Sequence, residues 1–350
     1  MNYIGAKTKL LPFIEKIILE NIDDNCRIFC DIFSGTGVVG LNFKKLGFKI
    51  IANDLQYYSY VLNRHFIGNH KKPEFKELVK FLKIRDKNNI LKEVFRFFNT
   101  LQPIHGFIAE NYSPAGKDGR MYFTEQNAKK CDAIRTKIEF FKKNKVITID
   151  EYFFLISSLL ESIDKYSNSV SVYGAYLKKF KKAALLEFYF RPSKLYINHQ
   201  EHEIYNQDAN DLIKRISTDV LYLDPPYNRR QYYTNYHILE TIAKYDNPVI
   251  YGKTGLRLEN DKRSKYCLVN TAYNEFKNLI ENANSKYIFM SYNNEGIIPI
   301  QAIRGVFEKK GKLKEFTISY SRYKSDSKRK YSSNKTVEYL FCCTCNTYCI

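Results

Sequence analysis

The tetrapeptide Asp224-Pro225-Pro226-Tyr227 gathers groups that could do chemistry on a planar base. Two successive prolines remove two amide donors and fix the backbone, leaving bare carbonyl acceptors. Asp224 adds a carboxylate and Tyr227 a flat ring. One exocyclic amino group could donate to both Asp224 and the Pro225 carbonyl while its ring stacks on Tyr227. The apolar run Val220-Leu221-Tyr222-Leu223 reads as a buried strand. Its C-terminal end is where open α/β sheets place their sites.

A second cluster lies near the N-terminus. Gly35-Thr36-Gly37-Val38-Val39-Gly40 follows the apolar run Arg27–Phe33 and precedes a helix read over Val38–Leu46. Glycines at such a turn let the backbone approach a ligand, and the helix start offers free N–H groups. Asp54 follows the next strand, Phe48–Ala52, where a carboxylate can take both hydroxyls of a ribose. This pattern predicts a nucleoside cofactor. It fits a dinucleotide or S-adenosylmethionine, and the alternative reading is a plain tight turn.

These two clusters must be carried by a sheet. The first segment reads as a β-α-β unit. From Tyr57 to Arg191 the rhythm is helical, with an apolar helical pattern over Phe75–Phe98. A second helix is capped by Thr124, and a third runs from Glu151 to Lys165 with Asp150 as its cap. A loop rich in breakers, Asn111 to Arg120, precedes the Thr124 helix. Strands return at Val220–Leu223 and Lys286–Ser291. Phe316–Tyr320 and Thr336–Phe341 read as a closing hairpin that runs into a tail. The fold expected is an α/β Rossmann-like sheet interrupted by a mostly helical insertion. The sheet domain would comprise residues 1–56 and 200–350, and the insertion 57–199.

Composition narrows the partners. The chain has 350 residues, 44% of them hydrophobic, which excludes a disordered tail protein. Lys and Arg number 56 against 37 Asp and Glu, for a net charge of +19. With 29 Tyr and 25 Phe, this supplies cations for phosphates and flat faces for bases. No apolar stretch approaches the ~18 residues of a membrane span, and the N-terminus has no apolar leader core. A cytoplasmic protein without membrane contact is expected. Cys342, Cys343, Cys345 and Cys349 crowd one end, but their spacing fits no usual zinc pattern and no metal is expected. His105 and His237 have no acidic or Cys partner at ligand spacing and are read as structural.

With these motifs in this order, the chain resembles the amino-group DNA methyltransferases, specifically the Dam-like adenine-N6 class of restriction-modification type. Tyr3-Ile4-Gly5-Ala6-Lys7 through Pro12 is similar to that family's opening motif, whose lysine region meets the cofactor carboxylate. Asp31-Ile32-Phe33-Ser34-Gly35-Thr36-Gly37 resembles its cofactor loop, with Asp54 as ribose ligand. Asn206-Gln207-Asp208-Ala209 resembles the motif whose acid meets the cofactor adenine. Asn111–Pro114, Arg120–Thr124, Glu161–Lys165, Tyr173–Lys179 and Asn228–Glu240 are similar to segments of restriction-modification methylases. The cysteine-rich ending departs from the pattern.

The resemblance implies transfer of the methyl of S-adenosylmethionine to N6 of an adenine flipped out of double-stranded DNA. Asp224, Pro225, Pro226 and Tyr227 would be catalytic. Tyr3, Lys7, Asp31, Phe33, Gly35, Gly37, Asp54 and Asp208 would bind the cofactor. The insertion would read the target. Cations expected on DNA are Lys178 and Lys179 in the insertion, and Arg322, Lys324, Arg329 and Lys330 within the basic run Lys309–Lys335. Arg120 is expected at base edges. A monomer is expected, with a cognate restriction endonuclease encoded separately. Two alternatives stand beside this reading. One is an NAD-dependent oxidoreductase, which leaves the Asp224 motif without a purpose. The other is a non-catalytic DNA-binding protein with a methyltransferase fold.

Overall fold

The computed structural model describes residues 5–170, 172–258, 263–321 and 335–348. The chain divides into two compact units. One comprises Gly5–Asn63, Asn198–Tyr232 and Asp261–Ile350; the other is built chiefly from Arg64–Ile197 and Tyr233–Asn260.

The first unit is a seven-stranded sheet. Its strands are β1 (Ile28–Asp31), β2 (Lys49–Asn53), β3 (Glu203–Tyr205), β4 (Ser217–Leu223), β5 (Asn284–Asn293), β6 (Gly311–Ser321) and β7 (Lys335–Cys345). Their spatial order is β3-β2-β1-β4-β5-β7-β6. The first five run parallel, and β7 lies antiparallel between β5 and β6. Parallel strands are covered on both faces and therefore read as continuous apolar runs. One face takes helix Val38–Lys45, where Phe43 stacks on Phe29 of β1 at 3.9 Å and 8°. The other face takes helices Ala272–Asn282 and Ile300–Lys310. Their Phe276, Leu279, Ile303 and Phe307 close over Cys30, Leu221, Ile288 and Met290.

The closing hairpin is longer than its sequence pattern suggested. β7 continues to Cys345, so Cys342, Cys343 and Cys345 belong to the sheet and not to a tail. Cys343 is fully buried against the helices, which is how small polarizable side chains commonly serve in a core. Among the described residues no cluster of His, Cys, Asp or Glu could hold a metal, and no helix is long and apolar enough to cross a membrane.

The second unit is mainly helical. The expected helix over Phe75–Phe98 is two helices, Lys76–Phe81 and Ile90–Thr100, because Lys83 adopts a left-handed φ of 52° between them. Thr124 caps Glu125–Lys143 as expected. Helix Ile149–Asp164 starts two residues earlier than read. Thr148, not Asp150, is its cap, in a capping box with Glu151. The boundaries also differ from expectation. Helix Tyr57–Asn63 belongs to the sheet unit, whereas Tyr233–Asn260 packs with the helical one. There Tyr236, Ile238, Leu239 and Ile242 are buried, and the Tyr112 hydroxyl donates to the Gly255 carbonyl at 3.0 Å. His237 is buried between the carbonyls of Thr234 and Thr254, in keeping with a structural role. His105 does have an acidic neighbour: its Nε2 lies 2.8 Å from Glu110, an exposed pair.

Candidate active site

The site lies where β1, β2, β4 and β5 end. β1 delivers Asp31 and then the turn Ser34–Gly37. Gly35 and Gly37 adopt φ of 51° and 76°, a region that side chains with a Cβ rarely occupy. The turn is laced to the end of β2. The Ser34 amide and hydroxyl both donate to the Asn53 carbonyl. The Gly35 amide donates to Asp54 Oδ2 at 2.8 Å, and the Gln56 amide to Asp54 Oδ1 at 2.8 Å. Asn63 reaches back to the Gly35 carbonyl at 3.1 Å.

Asp31 sits beneath this turn. It is buried, and its Oδ2 accepts from the Gly40 amide at 3.0 Å. Its Oδ1 is buried without a partner. Burial pushes its pKa up to about 8; the Gly40 amide opposes this, while Asp224 and Asp54 add to it. Phe33 is partly buried and meets the Tyr266 ring edge-on at 5.0 Å. Asp208 caps the short helix Ala209–Leu212 by accepting from the Asn210 amide.

Asp224 follows β4, whose register sets Leu223 beside Met290 of β5. Its side chain is 19% exposed, the most open member of a charged cluster. Lys7 Nζ lies 2.9 Å from Asp224 Oδ1 and 2.8 Å from Glu338 Oε1. Lys7 and Glu338 are buried, and Asn293 Nδ2 donates to the other Glu338 oxygen at 3.1 Å. Burial alone would lower the Lys7 pKa, but Asp224 and then Glu338 outweigh it and hold the ammonium charged. Burial lifts Asp224 to about 6; Lys7 pulls it down and Glu338 pushes it up. Tyr227 lies with its ring 5.7 Å from Lys7 Nζ and edge-on to Tyr292 at 6.1 Å, and its carbonyl accepts from the Ile297 amide. Pro225 is buried, and among the described residues nothing donates to its carbonyl. A carboxylate and a free carbonyl in sequence, beside an aromatic ring, form a site for an amino group on a flat heterocycle.

The chain belongs to the D12 class N6 adenine-specific DNA methyltransferases, whose family model matches residues 3–306. Its relatives include the Type II methyltransferase M.NlaIII of Neisseria lactamica, 44% identical over 97% of this chain and 98% of that protein. It is also similar to the Type II methyltransferase M.FokI of Planomicrobium okeanokoites, 41% identical over 97% of this chain and 52% of that protein. A third relative is M.CviAII of Paramecium bursaria Chlorella virus 1, 34% identical over 97% of both. The expectation of an adenine-specific DNA methyltransferase of restriction-modification type is met by this family and these relatives. A methyl donor follows from the family, and the nicotinamide alternative falls away with it.

Several expected site residues gather at the strand ends: Asp31, Phe33, Gly35, Gly37, Asp54, Asp208, Asp224 and Tyr227. Lys7 lies among them as well, paired with two carboxylates. A buried ammonium needs anionic partners, and it finds them in Asp224 and Glu338. Arg120 does not have the freedom expected of a base reader. It is buried, donates to the carbonyls of Asn111, Gly252 and Lys253, and lies 2.8 Å from Asp118. Its fork ties down the loop it was expected to extend from. Lys178 and Lys179 are exposed. Tyr3, Arg322, Lys324, Arg329 and Lys330 lie outside the described residues. Sequence reasoning missed Glu338 and Asn293. The available signal was a lone carboxylate inside the apolar run Val337-Glu338-Tyr339-Leu340-Phe341.

Proposed function

We propose that the chain transfers a methyl group from S-adenosylmethionine to N6 of an adenine swung out of double-stranded DNA. The observation that carries this is the pair of acceptors at Asp224 and Pro225, placed beside Tyr227. The partnerless Asp31 Oδ1 supports a cofactor, since a buried polar atom beside a glycine turn suits a polar group that arrives with the ligand. Gly35 and Gly37 would admit the cofactor's main body, Asp54 would accept from its ribose hydroxyls, and Phe33 and Asp208 would meet its adenine. S-adenosylmethionine, when bound, supplies a methyl already activated on a sulfonium.

The residues of this chain supply positioning and electrostatics. The lone pair of N6 is delocalised into the target ring, so N6 is a poor nucleophile. Donation of both amino hydrogens, one to Asp224 and one to the Pro225 carbonyl, draws N6 toward a tetrahedral geometry and localises that pair. Tyr227 stacks on the target ring and returns ~1–3 kcal/mol of the flipping cost. The helical unit, with its exposed Lys178 and Lys179, would grip phosphates and read the target. A companion restriction endonuclease would act on the same site. In an assay of labelled methyl transfer to DNA, wild-type protein yields N6-methyladenine and Asp224→Ala lowers kcat by at least ~10³-fold. Label on cytosine, or full activity in Asp224→Ala, would overturn the proposal.

A further inference from the structure

We propose that Glu338 is a positioning residue for methyl transfer, which acts through Lys7 to keep Asp224 free to accept the adenine amino group. This rests on the reading of Asp224 as that acceptor. The sheet register carries the argument. Asn293 ends β5, and β7 runs antiparallel beside it so that Glu338 stands directly opposite Asn293. The pairing delivers a buried carboxylate to the same sheet edge at which β4 delivers Asp224. One ammonium, Lys7, then contacts both carboxylates at nearly equal distances, 2.9 and 2.8 Å. Asn293 holds the remaining Glu338 oxygen.

The arrangement divides Lys7 between two anions. With Asp224 alone, a buried lysine would form a tight pair and compete with the substrate amino group for the carboxylate. Glu338 draws part of that attraction away. Asp224 stays ionised through Lys7, yet is held less tightly than in an exclusive pair. The other titratable groups facing the cluster are Tyr222 from β4, Tyr227 from the loop after it and Asp31 from the end of β1. Tyr222 is engaged with the Ser291 hydroxyl at 2.7 Å. None of them is, like Glu338, a carboxylate within ion-pair distance of Lys7.

The sign of the effect is fixed. Glu338 pushes the Asp224 pKa up, so neutralising Glu338 lets it fall. In Glu338→Gln, the acid limb of the kcat–pH profile moves down by about 1 pH unit. At the optimum kcat falls about tenfold, because Lys7 now sits on Asp224 alone. Binding of S-adenosylhomocysteine, measured by calorimetry, stays within threefold of wild type and reports that the fold is intact. Glu338→Asp keeps the charge and returns the limb toward its wild-type position. If Glu338→Gln does not fold, Asn293→Ala serves in its place. Without the Asn293 donor Glu338 is no longer held against Lys7, so Lys7 turns more fully to Asp224 and the limb moves the same way by less. An unmoved limb in the folded variant, or identical profiles for the Gln and Asp variants, overturns the proposal. Should Asp224→Asn retain full activity, the reading of Asp224 fails instead, which is a separate outcome.

Discussion

Two ends of one sheet edge hold carboxylates by opposite means. At the β1–β2 end, Asp54 is held through backbone amides, those of Gly35 and Gln56, and Asp31 through that of Gly40. At the β4–β7 end, Asp224 is held by an ammonium shared with a second carboxylate. Backbone amides give a fixed geometry that does not titrate. A shared lysine gives an adjustable charge. The difference matches the tasks proposed for the two ends: a ribose needs a rigid acceptor, and a reacting amino group needs an acceptor whose charge is tuned to the working pH.

The strongest test of this contrast removes the shared cation. Lys7→Leu leaves Asp224 beside Glu338 without compensation, so Asp224 binds a proton more readily. We expect kcat at pH 7 to fall at least ~100-fold, at a cost in folding stability of about 3–5 kcal/mol. Because Lys7 lowers the Asp224 pKa, residual activity should reappear at higher pH. A rate profile from pH 5.5 to 9 checks this. A limb displaced downward would contradict the contrast.

A smaller effect is expected at the rigid end. Asp54→Ala removes a charged acceptor from two amides and should weaken cofactor affinity by roughly 10–100-fold in calorimetry. The pH profile of kcat should keep its shape. A displaced profile would mean that the two ends are not independent.

The smallest effect concerns stability. Asp31 has a folded-state pKa of about 8, raised mainly by burial above the ordinary carboxylate value. The folded protein therefore holds a proton that the unfolded chain releases, and stability drains away as pH rises from about 4 toward 8. Asp31→Asn keeps an acceptor for Gly40 and removes this liability. Its Tm without cofactor should exceed wild type by ~2–5 °C at pH 8 and approach it at pH 5. Equal differences at both pH values would show that Asp31 is not protonated there.

The rigid end was largely legible in the sequence and the adjustable end was not. Gly35, Gly37 and Asp54 lie within 20 positions of one another, and a strand-turn-helix grammar governs them. The tetrapeptide Asp224–Tyr227 could likewise be read locally. Its partners could not. Lys7 and Glu338 are separated by 331 residues, and only the placement of β7 between β5 and β6 brings them together. The unit boundaries failed for a related reason. Tyr233–Asn260 follows the Asp224–Tyr227 tetrapeptide closely in sequence, but its buried Tyr236, Ile238 and Leu239 find their core in the helical unit. Arg120 misled because a guanidinium fork suits carbonyls as well as base edges, and sequence does not say which is nearer.

The position of β7 bears on how the enzyme comes into being. A ribosome releases the chain in order, so the glycine turn and the Asp224–Tyr227 tetrapeptide emerge long before the strand that carries Glu338. Until β7 slots between its neighbours, Lys7 has only one of its two anions and the sheet has a raw edge at β5. Closure over so long a span is slow. A nascent or truncated chain lacking β7 would therefore own both motif clusters and still have Asp224 in an exclusive pair with Lys7. Full methylating activity would thus wait on the synthesis and docking of β7, later than every motif of the two clusters.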